Sequence, residues 1–148
     1  MFHGLSTVTF YAPDLEEAAT WYTQVLGAEP YYVTPAYVEF RVGPHQAELG
    51  LIKAEYAGSH LARTPAPVPG RPAGAVTNWH VDDVAAERER LLSLGASPHD
   101  DVVERGEGAG YVTASVIDPF GNILGLIHNP HWVEFSAGVS PDRDPVAG

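Results

Sequence analysis

The chain has 148 residues, 45% of them hydrophobic, no cysteine, and a formal net charge of −11 from 8 Lys and Arg against 19 Asp and Glu. That length and apolar content suit one compact globular domain rather than a disordered chain. The acidic balance excludes a phosphate-binding surface and so a nucleic-acid partner, and the missing thiols exclude disulfides, thiolate metal sites and a cysteine nucleophile. With no apolar run long enough for a membrane span and no charged-then-apolar leader, the expected setting is cytoplasmic, with no membrane partner.

The first predicted strand covers residues 5–11, where Thr7, Thr9 and Tyr11 point one way and Val8 and Phe10 the other. Pro13 ends it. Asp14 is a helix N-cap, Leu15, Ala18, Ala19, Tyr22 and Leu26 recur at helical spacing, and Gly27 sits where a terminating glycine belongs. A strand follows over 29–34. In the next, over 37–42, Val38, Phe40 and Val42 cover the helix and Tyr37, Glu39 and Arg41 occupy the opposite face. After the Gly43-Pro44 turn, Leu49 and Leu51 face the helix and Glu48, Gly50 and Ile52 face away. Pro65, Pro67, Pro69 and Pro72 stiffen a linker over 58–74.

The second half repeats the plan. Val76, Asn78 and His80 share one strand face, Asp83 caps a helix that Gly95 ends, and Val102 and Val103 mark a short strand. Tyr111, Thr113 and Ser115 lie on the side away from that helix. A turn, Asp118-Pro119-Phe120-Gly121-Asn122, precedes the last strand. Both halves close on Leu-Gly-Leu-Ile, at 49–52 and 124–127, and both helices close on Leu-Gly-Ala, at 26–28 and 94–96. An echo of this order is a duplication. It predicts an α+β fold of two tandem βαβββ modules, 5–57 and 75–131, sharing one domain. From Asn129 onward the chain reads as irregular, and 132–148 as a tail.

Two phrases carry a family resemblance: Asp14-Leu15-Glu16 through Trp21-Tyr22 to Leu26-Gly27, and Asp118-Pro119-Phe120-Gly121-Asn122. Over residues 5–128 the chain resembles the vicinal oxygen chelate superfamily, which comprises glyoxalases, bleomycin resistance proteins and dioxygenases. The resemblance implies curved sheets that enclose a cleft, with helices outside. It also implies that the faces turned from the helices line that cleft. In metal-dependent members each module supplies one ligand from its first strand and a Glu from its last. Those positions fall here on Thr7 and Val76, and on Gly50 and Gly125. None offers the imidazole or carboxylate that a divalent ion requires.

The expectation is therefore a cleft that binds a small organic molecule without a metal cofactor. The alternative is a lyase, isomerase or dioxygenase that uses a divalent metal. Gly50 and Gly125 would leave volume for a ligand, or else permit close packing. The ligand-facing set is Thr7, Thr9, Tyr11, Tyr37, Glu39, Arg41, Glu48, Gly50, Asn78, His80, Tyr111, Thr113, Ser115 and Gly125. His80 and Glu48 are the candidates for an acid–base pair, and Glu39 with Arg41 for a plain ion pair. His3, His45, His60 and His99 read as surface. His128 and His131 bracket Asn129-Pro130 without helical metal spacing. A homodimer remains open, because the linker could exchange modules between two chains.

Overall fold

The computed structural model of the chain describes residues 6–57, 66–67 and 76–138. His3, His60 and most of the proline-rich linker lie outside them. So does the tail beyond 138. The first module contains β1 (Thr7–Ala12), α1 (Leu15–Leu26), β2 (Tyr32–Val33), β3 (Tyr37–Val42) and β4 (Ala47–Lys53), in one sheet of order β1-β4-β3-β2. The second contains β5 (Thr77–His80), α2 (Val84–Ser93), β6 (Ser97–Pro98), β7 (Val103–Arg105), β8 (Tyr111–Ile117) and β9 (Ile123–His128). Its sheet runs β5-β9-β8-β6, with β7 also on β8. In each module the first strand is parallel to the last and the central pair is antiparallel. The predicted α+β fold of two tandem βαβββ modules is the architecture of the protein.

Local chemistry sets the helix ends. The Asp14 carboxylate accepts from the N–H groups of Glu16 at 2.9 Å and Glu17 at 3.0 Å, and Gly27 closes α1 in the left-handed region at φ 64°. Asp83 accepts from the Ala86 N–H at 2.9 Å. Alternation then fixes what each helix covers. Phe10, Val38, Phe40, Leu49 and Leu51 are buried with Ala18 and Tyr22 of α1, and Ala114, Val116, Leu124 and Leu126 are buried with Val84 and Leu91 of α2. Both sets belong to one continuous core.

The modules are joined through α1 and the turn between β8 and β9. The buried Asp118 carboxylate accepts from Tyr22 Oη–H at 2.6 Å, Asn122 Nδ2–H at 2.9 Å, and the backbone N–H groups of Phe120 and Asn122 at 2.9 and 2.7 Å. Asn122 then pairs with β1: its Oδ1 accepts from the Tyr11 N–H and its Nδ2 donates to the Tyr11 carbonyl. Trp21 Nε1–H donates to the Leu94 carbonyl at 2.8 Å, and its ring stands edge-on to Phe120. No basic residue occupies the last turn of α1. Arg90 of α2 supplies one from outside, donating to the carbonyls of Gln24 and Val25.

Two sequence expectations change. Instead of an irregular run, residues after Asn129 form a third helix, α3 (Pro130–Ser136). Its start is well specified: the Asn129 side chain accepts from the N–H groups of His131 and Trp132, and Pro130 fills the first helical position. The strand expected over 29–34 contracts to Tyr32–Val33, between Pro30 and Pro35. Arg88 of α2 holds the chain after β6, donating to the Asp100 carbonyl and pairing with Asp101 at 3.2 Å. Among the described residues no helix is long and apolar enough to cross a membrane.

Tyr22→Phe tests the junction. It leaves the ring in place but deprives a buried carboxylate of a donor, so unfolding free energy should fall by about 1–3 kcal/mol. Urea denaturation measures this, and an unchanged midpoint would show that the hydroxyl contributes nothing.

Candidate functional site

The face of the first sheet turned from α1 gathers most of its predicted residues into one polar cluster. Arg41 stands opposite Glu48 in the β3–β4 register, and Glu39 stands opposite Gly50. Glu48 accepts from the Thr7 hydroxyl at 2.7 Å and lies 3.7 Å from Arg41 Nε. Glu39 accepts from the hydroxyls of Tyr31 and Tyr37. The Tyr31 hydroxyl also lies 3.3 Å from Glu48, and the Arg41 guanidinium sits 4.0 Å over the Tyr31 ring. The ion pair therefore joins Arg41 to Glu48, not to Glu39 as expected. The reason is geometric: the cross-strand partner is nearer than the next same-face residue on one strand.

Both tyrosines are held as donors. Partial burial and the Glu39 hydrogen bond push the Tyr37 hydroxyl well above its ordinary value, with Thr9 acting weakly the other way. The Glu39 hydrogen bond raises Tyr31 likewise. A carboxylate pair with protonated phenols on one side and a guanidinium on the other can hold a polar or cationic group in orientation. Tyr31 falls inside the strand expected over 29–34, to which no face was assigned; in the structure it immediately precedes β2. The adjacent pair Tyr31-Tyr32 within that expected strand was the available signal.

In the second sheet the predicted residues divide among separate contacts. His80 Nδ1 accepts from the Asn129 N–H at 3.1 Å, its ring stacks on Trp132 at 4.2 Å, and His128 lies 5.3 Å away. Tyr111 bonds His131 Nδ1 at 3.1 Å, and Thr113 accepts from Arg105. Ser115 is buried; it donates to Asp100 at 2.8 Å and accepts from His99 Nδ1 at 2.8 Å. The set looks like a nucleophile triad by residue type but not by role. The carboxylate takes the serine proton, so the imidazole has none to abstract. Ser115 is thus a latch for the chain after β6. His99 and His45 are exposed as expected, but each has a partner: His45 bonds Ser136 at 3.1 Å and meets Trp132 edge-on. His80 and Glu48 are engaged by different partners in different modules. No bond between them supports the expected acid–base pair.

The glycines do not leave open floor. A Cβ at Gly50 would collide with the Tyr37 hydroxyl. One at Gly125 would collide with the Asn78 amide oxygen and come within 2.7 Å of Val76 Cγ1 and 3.0 Å of the Thr77 carbonyl. Close packing, not ligand volume, explains both. Thr7, Val76, Gly50 and Gly125 also lack the donors to fit a divalent ion. Among the described residues no three His, Asp or Glu side chains converge as metal ligands. A concavity of about 770 Å³ lies elsewhere, on the helix side of the first module, between α1 and the Pro30–Pro35 segment.

The family model of the Glyoxalase/Bleomycin resistance protein/Dioxygenase superfamily matches residues 4–126. A search among curated proteins finds no match. Similar solved structures include a glyoxalase-related enzyme from Fulvimarina pelagi at 21% identity and TM-score 0.67, covering 87% of this chain and 90% of that one. A lactoylglutathione lyase from Agrobacterium tumefaciens is 22% identical with TM-score 0.65, covering 88% and 97%. The fosfomycin resistance protein of Mesorhizobium loti is 18% identical with TM-score 0.60, covering 91% and 99%. At these identities the likeness is one of fold.

Burial and the His128 imidazole lower the His80 pKa from its ordinary 6.5, against a smaller opposing effect of Asp82. The unfolded chain then takes up the proton first as pH falls. Stability contributed by His80 is present above pH 6.5 and is lost as pH drops through that value toward the folded pKa. Tm should decline between about pH 7.5 and about pH 5.5, and His80→Phe, which can still stack on Trp132, should flatten the decline. Equal slopes for both proteins would contradict this reading.

Proposed function

The chain belongs to the Glyoxalase/Bleomycin resistance protein/Dioxygenase superfamily, and from that premise we propose that it binds a small organic molecule, without a metal cofactor, on the sheet faces turned from its helices. One observation carries the reading. The four positions that the family resemblance assigns to metal ligands hold Thr7, Val76, Gly50 and Gly125, whereas the first-sheet face around Thr7 and Gly50 keeps a dense set of directional polar groups. Glu39, Glu48 and Arg41 act as anchors. Tyr31, Tyr37 and Tyr32 supply aromatic surface, the last two with ring centroids 6.4 Å apart. Apolar walls with a few oriented polar groups are what small-molecule recognition requires. The cluster carries two carboxylates against one guanidinium, and the whole chain is acidic. A ligand bearing a positive or hydrogen-bond-donating group is therefore favoured.

A second copy of the chain fits this reading. β1 and β5 each end their sheet. The outward N–H and C=O of Tyr11 are already taken by Asn122; further along that edge no neighbouring strand is paired among the described residues. A homodimer formed there would set the Glu39–Glu48 face of one copy beside the second sheet of the other and complete a cleft. Localisation in the cytoplasm is part of the same proposal.

The test is a thermal-shift screen of cationic aromatic and glycopeptide-like compounds against the full chain. A true ligand at 100 times its Kd should add about 2.7 kcal/mol to stability. Glu48→Gln and Glu39→Gln should each cut the shift for that ligand while leaving the Tm of the free protein within a few degrees. A shift unaltered by both substitutions would place binding elsewhere, and a screen with no response would count against the proposal.

A further inference from the structure

A smaller concavity, of about 150 Å³, lies in the seam between the modules rather than on the polar faces. Val25 and Leu26 of α1 and Val42 of β3 form one wall, and Trp79 of β5, Leu91 of α2 and Leu126 of β9 form the other. Trp79 and Leu126 are paired in register, so they share the helix side of the second sheet. Two ionisable groups also border the space, and both are engaged. Glu87 is held by Arg90 through two of its nitrogens. His80 accepts from the Asn129 N–H and stacks on Trp132.

Trp79 is different. Its Nε1 is buried and has no hydrogen-bond partner among the described residues. A buried indole N–H ordinarily finds an acceptor, and leaving one unpaired costs about 1–3 kcal/mol. Trp21 Nε1 is satisfied by the Leu94 carbonyl at 2.8 Å, whereas Trp79, a residue that lines the cavity, keeps its donor unspent among the described residues.

We propose that the seam is a second binding site, for a neutral, compact, largely apolar molecule carrying one hydrogen-bond acceptor that the Trp79 indole N–H meets. The size follows from the volume, since a cavity of about 150 Å³ takes a single six-membered ring. Neutrality follows from the walls. They offer no free counter-ion, and burying an unpaired charge is prohibitive. The N–H is closed to water as well, so an acceptor reaches it as ring and ligand settle together. The site does not depend on the polar faces or on their ligand.

Titration of ¹⁵N-labelled protein with cyclohexanone tests the proposal, read at the Trp79 indole N–H resonance, which is identified by its loss in Trp79→Phe. The expected result is a saturable displacement of that resonance with a rise in Tm. Benzene, a ring without an acceptor, should bind about five- to tenfold more weakly, the equivalent of one neutral hydrogen bond. Benzoate should not bind. Val42→Phe fills the seam and should abolish the response. If that variant fails to fold, Leu26→Phe fills it from the other element. No saturable displacement by cyclohexanone, an equal response to benzoate, or a response that survives in a folded filled variant would each overturn the proposal.

Discussion

One buried carboxylate organises the junction of this protein. Asp118 draws its own turn tight through the N–H groups of Phe120 and Asn122, and reaches across the domain to the hydroxyl of Tyr22. Burial pushes its pKa up and the four donors pull it down. The carboxylate is tolerated there only because every donor is aimed at it. The same donors orient Asn122, whose amide presents to Tyr11 the acceptor and donor that a neighbouring strand would have presented. A turn in the second module thereby acts as a short surrogate strand for the first. Without Asp118 the turn, the Asn122 amide and the end of β1 would lose their common reference.

The duplication gives that device an inexact counterpart. Tyr11 and His80 each stand three residues before a helix-capping aspartate, Asp14 and Asp83. Tyr11 is met by the turn of the second module. His80 is covered by Trp132 of α3, and His45, from the turn of the first module, meets that same Trp132. Two related positions are thus closed by different chemistry, an amide in one module and an aromatic stack in the other. The asymmetry leaves a dense polar cluster on the face of the first sheet, and commits the second sheet's histidines and serine to holding α3 and the chain after β6.

Much of the fold was legible because it rests on local rules. The Asp14 and Asp83 caps, Gly27, and the alternation of Val38, Phe40, Leu49 and Leu51 are short-range signals, and the repeated Leu-Gly-Leu-Ile exposed the duplicated order of elements along the chain. Parity also placed Thr7, Tyr37, Glu39, Arg41 and Glu48 on one face. The partners on that face were not legible. Whether Arg41 meets Glu39 or Glu48 depends on register between strands, and no single strand states it. The glycines left two readings open for a related reason: a missing side chain signals close approach but does not say of what, and here the answer is Tyr37 over Gly50 and Asn78 with Val76 over Gly125. α3 was readable from Asn129-Pro130, a capping residue followed by a proline at the first helical position.

In the proposed reading, the positions that the family resemblance assigns to chelation serve packing and hydrogen bonding instead. Elemental analysis of protein purified without chelator decides this. Well under one equivalent of any transition metal per chain is expected. One equivalent of zinc, iron, manganese or nickel would overturn the reading and direct attention to lyase, isomerase or dioxygenase chemistry.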